Sequence, residues 1–429
     1  MTRLGRRTLL AGVFGSAAAH ALGRTPYGGT LRLTLPWPVD AIDPHAADDP
    51  AAALFGAAIS DSLYARDAQG RAYPALAAAL PEKTPRGVKI ALRPNLNTAS
   101  GRALDSRDVV FSLERARGAG ALAVLGGFGL ARRDPADALA ILVPDTDPEQ
   151  LALALSSPLT AIVARGFSPQ RPDATGAFRA LPSRRSLLLE RNVKAARGPG
   201  FLDRVVVDAA PSLAEALRVF EAGDADVGWL GAGLHRQRAG ATALDAGRFG
   251  WVVLLTGRDA GAWGAPGVAQ QLLDGVAPEQ LAHLGLRGLQ GGRSAAQRWG
   301  GGTADLLVRE DAPHLVQIAG ALAALLQQPG HAISPAPRPR IEVAAAKRSG
   351  RFRLLLDFVR AADPAPLVLL QAADRSLVAR PPKLANDDLR QLSRLAPLGV
   401  VGELHISGAR AAGFVGLETW ALGSVWKSA

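Results

Sequence analysis

The hydrophobic pattern begins with a strand. In GGTLRLTLPWP, the apolar residues Leu31, Leu33 and Leu35 alternate with polar ones, and a period of two is typical of a half-buried strand. The prolines that follow end the strand, because proline cannot donate a backbone hydrogen bond to a sheet. Trp37 is therefore predicted just past the strand tip.

Helical patterns alternate with strands in the next hundred residues. A turn at Asp43-Pro44 precedes a predicted helix over about 51–63, the Ala-rich YPALAAAL predicts a short helical piece, and VKIAL alternates as a second strand. The clearest helix is DSRDVVFSLERAR, residues 105–117. Asp105 can accept hydrogen bonds from the free N–H groups of its first turn, an N-cap worth about 1 kcal/mol.

The first 23 residues have the pattern of an export signal. A basic start is followed by an apolar run over 9–21 and a small-x-small cleavage site at Ala19-His20-Ala21. The adjacent Arg6 and Arg7 before TLL resemble a twin-arginine signal, and an ordinary secretory signal is the alternative. Either predicts an exported, soluble, periplasmic protein. Since the sequence has no cysteine, lipid anchoring through an N-terminal Cys is excluded.

Composition narrows the classes of function. The 429 residues suggest two or three domains at roughly 150 residues each. The net charge of +11 comes almost entirely from dispersed arginines, with six lysines and no basic-aromatic stripe, so nucleic-acid binding is not predicted. The lack of cysteine also removes thiolate catalysis and Cys-ligated metal sites.

No motif predicts catalysis. Gly118-x-Gly120 follows a helix, whereas a dinucleotide fingerprint needs a strand before it. In DPHAADDP, Asp43, His45, Asp48 and Asp49 could hold a hard metal ion, but a turn followed by an acidic first helical turn is the favoured interpretation. No catalytic residue, metal or cofactor is predicted, and the protein is not expected to be an enzyme.

Several phrases resemble one protein family in their order along the chain. They are GGTLRLTLPWPVDAIDPHA, ISDSLYARDAQGRAYPALAAAL, VKIALRPNLNTASGRALDSRDVVFSLERAR, DATGAFRAL and FLDRVVVDAAPSLAEALRVFEAGDADVGWL. This series resembles the family 5 extracellular solute-binding proteins, the periplasmic dipeptide, oligopeptide and nickel receptors of ABC importers. The second half resembles the family more loosely, and the chain is shorter than usual family members.

The resemblance implies an α/β fold: a two-lobe type II periplasmic binding protein with mixed sheets, flanking helices and an accessory domain inserted in the first lobe. Lobe 1 would contain residues 24–45, 170–262 and 405–429, the accessory domain 46–169, and a shortened lobe 2 263–404. The Gly-rich stretch 288–305 is predicted to be a loop.

The same resemblance suggests ligand contacts. In AGDADVGWLGAG a turn leads into a short strand ending at Trp229, where resembling receptors place an aromatic residue against the ligand; a Trp buried under the other lobe is the alternative. In DFVRAADP the Asp that holds a ligand α-ammonium in those receptors is deleted or replaced. Asp363 and Asp357 are imperfect substitutes, and the nearby Arg360 would favour a carboxylate; the alternative is that Arg360 is a surface residue and Asp363 a turn residue before Pro364. Trp37, Trp229, Arg360 and Asp363 are the predicted contacts.

The function that this implies is a monomeric periplasmic receptor. It would bind a peptide or similar small solute in the interlobe cleft and deliver it to an inner-membrane ABC permease by hinge closure. A binding scaffold that has lost its pocket and acts as a sensor or interaction protein is the main alternative. An exported hydrolase is the third, without a motif to support it.

Overall fold

The computed structural model describes residues 27–428, except 145, 185, 230–237, 289–301, 328–329, 331, 363–364, 379–388, 390–391 and 394–395. The predicted export signal and most of the predicted Gly-rich loop lie outside the described residues. No helix in the described part is long and apolar enough to cross a membrane.

One end of an eleven-stranded sheet forms lobe 1. Its strands are β1 (Thr30–Leu35), β8 (Phe178–Pro182), β9 (Ser186–Arg191), β10 (Arg204–Ala209) and β11 (Val227–Trp229). The predicted strand over 31–35 is confirmed as β1, which pairs in parallel with β10 and β11. Helix α5 (Leu213–Ala222) also belongs to lobe 1. Helix α1 (Pro50–Ile59) differs from the prediction that 46–169 form the accessory domain, because its apolar side chains pack into the same hydrophobic cluster as β1.

Lobe 2 occupies the other end of the sheet. Its strands are β13 (Leu286–Arg287), β14 (Ala304–Arg309), β15 (Ile333–Arg338) and β16 (Leu354–Arg360), and its helices are α6 (Val268–Leu273), α7 (Pro313–Leu326), α8 (Arg340–Ser349), α9 (Ala365–Ala373) and α10 (Arg375–Val378). Strand β14 is parallel to both β15 and β16. The carboxyl ends of these three strands therefore meet at one edge, which is where α/β sheets bind ligands.

Two long antiparallel strands belong to both lobes. They are β12 (Thr242–Thr256) and β17 (Leu398–Arg410), and they pair along their length with three irregularities of register. Near the lobe 1 end, β17 pairs with β11; near the lobe 2 end, β12 pairs with β16. The chain thus crosses between lobes through continuous strands. Short strands β18 (Phe414–Val415) and β19 (Trp426–Lys427) close the C-terminal region.

The 64–160 segment builds its own four-stranded sheet in the order β4-β5-β7-β6. It contains β2 (Tyr64–Arg66), β3 (Ala72–Pro74), β4 (Glu82–Thr84), β5 (Gly87–Ala91), β6 (Arg132–Asp134) and β7 (Asp137–Val143), with helices α2 (Ser106–Ala119), α3 (Leu122–Leu125) and α4 (Pro148–Ala154). Asp105 caps α2 as predicted: its carboxylate accepts from the Arg107 N–H at 2.8 Å, and Asp108 closes a capping box on the Asp105 N–H at 3.1 Å.

The prediction of a short helix in YPALAAAL is wrong. Residues Ala72–Pro74 form β3, which pairs with β2, and Ala77 makes an isolated bridge with Leu92. Leu76 and Ala77 are fully buried. Pairing and burial therefore override the high helix propensity of alanine in this stretch.

Two large hydrophobic clusters lie on opposite faces of the lobe 2 strands. In β16, Leu356 and Phe358 pack into the cluster that continues into lobe 1, whereas Leu355 and Val359 pack into the cluster of the 64–160 segment. This alternation follows from the period of two of a strand. The structure therefore places the 64–160 segment against lobe 2, with β16 between two differently covered faces.

Candidate ligand-binding site

A small interlobe space lies where lobe 1 meets lobe 2. Trp37, Pro38 and Asp40, which follow the tip of β1, line it from lobe 1, and His314 and Phe358 line it from lobe 2. Its volume is about 60 Å³, well below the roughly 300–1,000 Å³ of typical small-molecule sites. In this arrangement of the lobes, little room is left between them.

An aromatic contact closes this space. The rings of Trp37 and His314 lie 5.5 Å apart, and both side chains are buried. Burial lowers the pKa of His314 to about 4, so its imidazole is neutral at neutral pH. Trp37 is thus placed between the lobes, at the position the sequence predicts, and its role as a ligand contact stays a prediction.

Arg360 ends β16 but lines neither this space nor the larger cavity described below. Its side chain is 3% exposed, and its Nη1 donates to the carbonyl of Pro44 at 2.8 Å and to that of Ala46 at 3.3 Å. Burial lowers the pKa of Arg360 to about 10, against the opposing effect of the Asp49 and Asp43 carboxylates. The guanidinium therefore holds the 43–49 turn against lobe 2.

The other two predicted contacts are less fully described. Trp229 is the last residue of β11 and its backbone pairs with Gly408 of β17. Asp363 lies outside the described residues. The structure consequently places Trp37 in the interlobe space and Arg360 beneath the turn beside it, and the roles of all four residues remain predictions.

The turn that Arg360 holds has its own internal partners. Both carboxylate oxygens of Asp43 accept from Arg115 at 2.7 Å, and Asp49 caps α1 through the Ala51 and Ala52 N–H groups. Arg115 also donates to Nδ1 of His45 at 2.8 Å, so the His45 Nε2–H donates to Ala161 O at 2.7 Å. Within the described residues, no group of three or more metal-ligating side chains could hold a metal ion.

A larger cavity of about 360 Å³ opens beside this turn. Gly118 and Ala119, at the end of α2, form one wall, and α8 forms another with Val343 and Ala344. The volume lies within the range of small-molecule sites. The cavity therefore has room for a solute of modest size, which the interlobe space does not.

Partly buried ion pairs join the turn to lobe 2 at the edge of this cavity. Lys347 Nζ lies 2.5 Å from Asp357 and 3.9 Å from Asp48, and Arg309 Nη1 donates to the Asp48 carbonyl at 3.3 Å. Burial lowers the pKa of Lys347, but the Asp357 and Asp48 carboxylates outweigh it and hold the pKa above its ordinary value. Burial likewise raises the pKa of Asp48, but the positive charges of Lys347 and Arg309 outweigh this effect and hold the pKa of Asp48 below its ordinary value. Lys347 and Asp48 are therefore charged at neutral pH.

Two arginines that the sequence analysis did not single out line both the interlobe space and the larger cavity. They are Arg309, at the carboxyl end of β14, and Arg340, at the start of α8. A signal was present: residues 340, 344, 347 and 348 in RIEVAAAKR have helical spacing, which places three cations on one face. His314, one of several scattered histidines in the sequence, could be placed only by the fold.

These features define a class of protein. The chain has the α/β fold of the two-lobe, type II periplasmic binding proteins, and at the level of the fold the resemblance to family 5 solute-binding proteins is confirmed. Its sequence matches no protein-family model, and no curated protein matches it either.

Particular solved structures show the likeness. The periplasmic binding protein DppA from Helicobacter pylori, in complex with peptide STSA, has a TM-score of 0.70 and 14% identity, covering 94% of this chain and 99% of its own. The oligopeptide-binding protein AppA from Bacillus subtilis, in complex with a nonapeptide, has a TM-score of 0.68 and 12% identity. The match covers 95% of this chain and 100% of AppA. NikA from Staphylococcus aureus, in complex with Ni(L-His)2, has a TM-score of 0.65 and 15% identity. The match covers 90% of this chain and 96% of NikA.

Proposed function

We propose that this protein is the substrate-binding component of an ABC importer. It binds a peptide or similar small solute between its lobes and delivers it to a permease in the inner membrane, as a monomer and without covalent chemistry. The observation that carries the proposal is the pair of strands β12 and β17, which run unbroken through both lobes. A fold with this connection can open and close about the strands when a solute contacts both lobes.

Similar solved structures support the proposal. The solved relatives named above are binding proteins in complex with a peptide or a nickel complex. Trp37 and His314, which face each other from different lobes, are in position to separate on opening and to close over a solute. We include Trp37, Trp229 and Asp363 among the proposed ligand contacts, with Arg360 acting through the turn that it holds.

The proposed function also requires that the protein be exported from the cytoplasm. Residues 1–23 are proposed as a twin-arginine-like signal that sends the folded protein to the periplasm, where the solute and the permease are accessible. Replacing both Arg6 and Arg7 by Lys should leave the protein in the cytoplasm if this route is used, whereas a general secretory signal would tolerate the change. Cell fractionation distinguishes the two routes.

The experiment that tests the receptor function is thermal unfolding of the purified protein against short peptides, opines, sugars and divalent metals. A solute at a hundred times its Kd adds about 2.7 kcal/mol of stability, which gives a clear increase in Tm. We expect an increase with one chemical class and a smaller one in Trp37→Leu. Trp426→Leu, which changes a half-buried Trp in β19, is the matched control and should keep the full increase. No increase with any class, from a well-folded protein, would contradict the proposal.

One observation favours the alternative of a scaffold without a transport pocket. The interlobe space holds only about 60 Å³, and the guanidinium of Arg360, near the point where the Asp of resembling receptors is missing, is hydrogen-bonded to the protein's own backbone. In that case the protein would be a sensor or an interaction partner. Deleting the gene would then leave uptake of every solute in the screen unchanged.

A further inference from the structure

The 360 Å³ cavity lies on the opposite face of β16 from the interlobe space. Asp357 and Val359 line the cavity, whereas Phe358, between them in sequence, lines the interlobe space. Successive side chains of a strand point to opposite faces of the sheet. Arg309 and Arg340 line both spaces. A solute in this cavity would nevertheless contact lobe 2 and the end of α2 rather than Trp37 and His314, so the inference goes beyond the proposed function.

The charges that line the cavity are unbalanced. Its walls carry six cationic side chains and three acidic ones: Arg258, Arg309, Arg340, Lys347, Arg348 and Arg375 against Asp48, Asp357 and Asp374. Each acid has a cation as its partner, since Asp357 pairs with Lys347, Asp48 with Arg309, and Asp374 with Arg258. The remaining three cations face the cavity without a carboxylate within ion-pair distance in the described chain.

Two of these cations are available to a ligand. Arg375 donates to the carbonyls of Arg117 and Gly118 at the end of α2. By contrast, the side chains of Arg340 and Arg348 make no hydrogen bond or ion pair with any described residue, although the charge of Arg340 helps to lower the pKa of Asp48. A guanidinium binds carboxylate and phosphate groups with two parallel hydrogen bonds, so both residues match an anion.

The spacing along α8 sets the kind of anion. Arg340 and Arg348 are eight residues apart, which at 1.5 Å per residue is about 12 Å along the helix axis. The two guanidinium groups therefore start from opposite ends of the same wall. A single small ion does not reach from one end to the other, whereas a solute with two or more anionic groups can engage both.

One buried hydroxyl group beside the cavity has no hydrogen-bond partner. Thr256, the last residue of β12, lines the cavity and is 1% exposed. Its backbone N–H donates to Pro397 O, but its Oγ1 has no hydrogen-bond partner in the described chain. This oxygen has almost no accessible surface, and Thr256 pairs with Leu354, which packs on the interlobe side of β16, so the hydroxyl is not one of the proposed ligand contacts.

We propose that this cavity binds a small solute with at least two anionic groups, carboxylates or phosphates, held at its ends by Arg340 and Arg348. Since Gly118 and Ala119 form the opposite wall, the bound solute would link the 64–160 segment to lobe 2.

Calorimetric titration of the purified protein tests the proposal. The probes are citrate and fructose 1,6-bisphosphate, with glucose as a neutral control and spermidine as a cationic one. We expect at least one of the two anions to bind and neither control to do so. In the Arg340→Gln/Arg348→Gln variant the affinity should fall by about 30-fold or more. Which anion binds distinguishes a carboxylate site from a phosphate site.

Two further variants separate a specific site from general surface charge. Arg351→Gln removes one exposed charge just beyond α8, outside the cavity, and should leave the affinity unchanged. Thr256→Val removes an unpaired hydroxyl that a solute does not reach, and should leave the affinity unchanged and Tm of the free protein the same or higher. The proposal is overturned if the folded protein binds neither anion, if the double variant binds as tightly as the wild type, or if Arg351→Gln weakens binding equally.

Discussion

At the scale of single residues, Arg360 connects two parts of the protein, because its buried guanidinium donates to the carbonyls of Pro44 and Ala46 in the 43–49 turn. In the sequence, Arg360 is marked only by its place near the point where the Asp of resembling receptors is deleted or replaced. Arg340 and Arg348 stand out only once α8 is known to lie against a cavity. Burial and cavity lining depend on long-range packing, which one sequence does not reveal.

Replacing Arg360 should affect stability first. Arg360→Ala leaves the buried carbonyls of Pro44 and Ala46 without their donor, and we expect a loss of about 2–4 kcal/mol in the free energy of unfolding. Arg351→Ala, an exposed arginine nearby, should cost less than about 0.5 kcal/mol. Urea unfolding measures both. Equal stabilities of the two variants would show that the Arg360 guanidinium does not hold the turn.

Two buried histidines should make the fold sensitive to mild acid. Burial lowers the pKa of His45 and of His314 from 6.5 to about 4. Well above pH 6.5, both imidazoles are neutral in the folded protein and in the unfolded chain. As the pH falls from 6.5 towards 4, the unfolded chain binds the protons first, so stability is lost across that window.

We expect the free energy of unfolding to fall by about 2 kcal/mol per histidine between pH 7.5 and pH 5. His314→Gln, which cannot titrate, should show about half the wild-type decrease. Urea unfolding at the two pH values gives the comparison. The same decrease in His314→Gln as in the wild type would mean that this imidazole is not the group that titrates.

At the scale of elements, the sequence predicts well those features that depend on neighbouring residues, such as the start of a helix or the buried face of a strand. The start of α2 follows from Asp105, whose carboxylate satisfies a free N–H of the first turn wherever the helix is placed. The alternation in β1 likewise anticipates its buried face. YPALAAAL is the counterexample, because its alanines favour a helix in isolation while pairing with β2 and burial require an extended chain.

Strand β12 depends on a glycine that the sequence does not mark. A Cβ added at Gly250 would meet the Phe358 ring and lie 2.7 Å from the Val359 carbonyl oxygen of the adjacent strand. Gly250→Ala should therefore cost about 3 kcal/mol or more, since backbone and ring must both shift. Gly320→Ala in α7, where nothing lies within 4 Å, should be neutral or stabilise by roughly 1 kcal/mol. Chemical unfolding compares them, and an undiminished stability of Gly250→Ala would contradict the packing described for β12 and β16.

At the scale of the whole molecule, the order of phrases along the chain predicts the fold, and the strands explain why. Lobe 1 needs strands from both termini, and β12 and β17 return the chain between lobes. The division of the sheet into two covered faces emerges only in three dimensions. So does the larger cavity, whose walls come from α2, α8, β12 and β16.

The central claim is that the lobes close on a solute, and a distance between them tests it most directly. The chain has no cysteine, so Ala214→Cys on α5 and Ala324→Cys on α7, both exposed, give two specific spin-label sites on different lobes. Near them the side chain of Gln317 already approaches the Pro211 carbonyl across the lobes at 3.5 Å. With each compound that raises Tm in the screen, we predict that a long inter-label distance in the free protein is replaced by a shorter one. A distance distribution that is the same with and without every such compound would contradict closure.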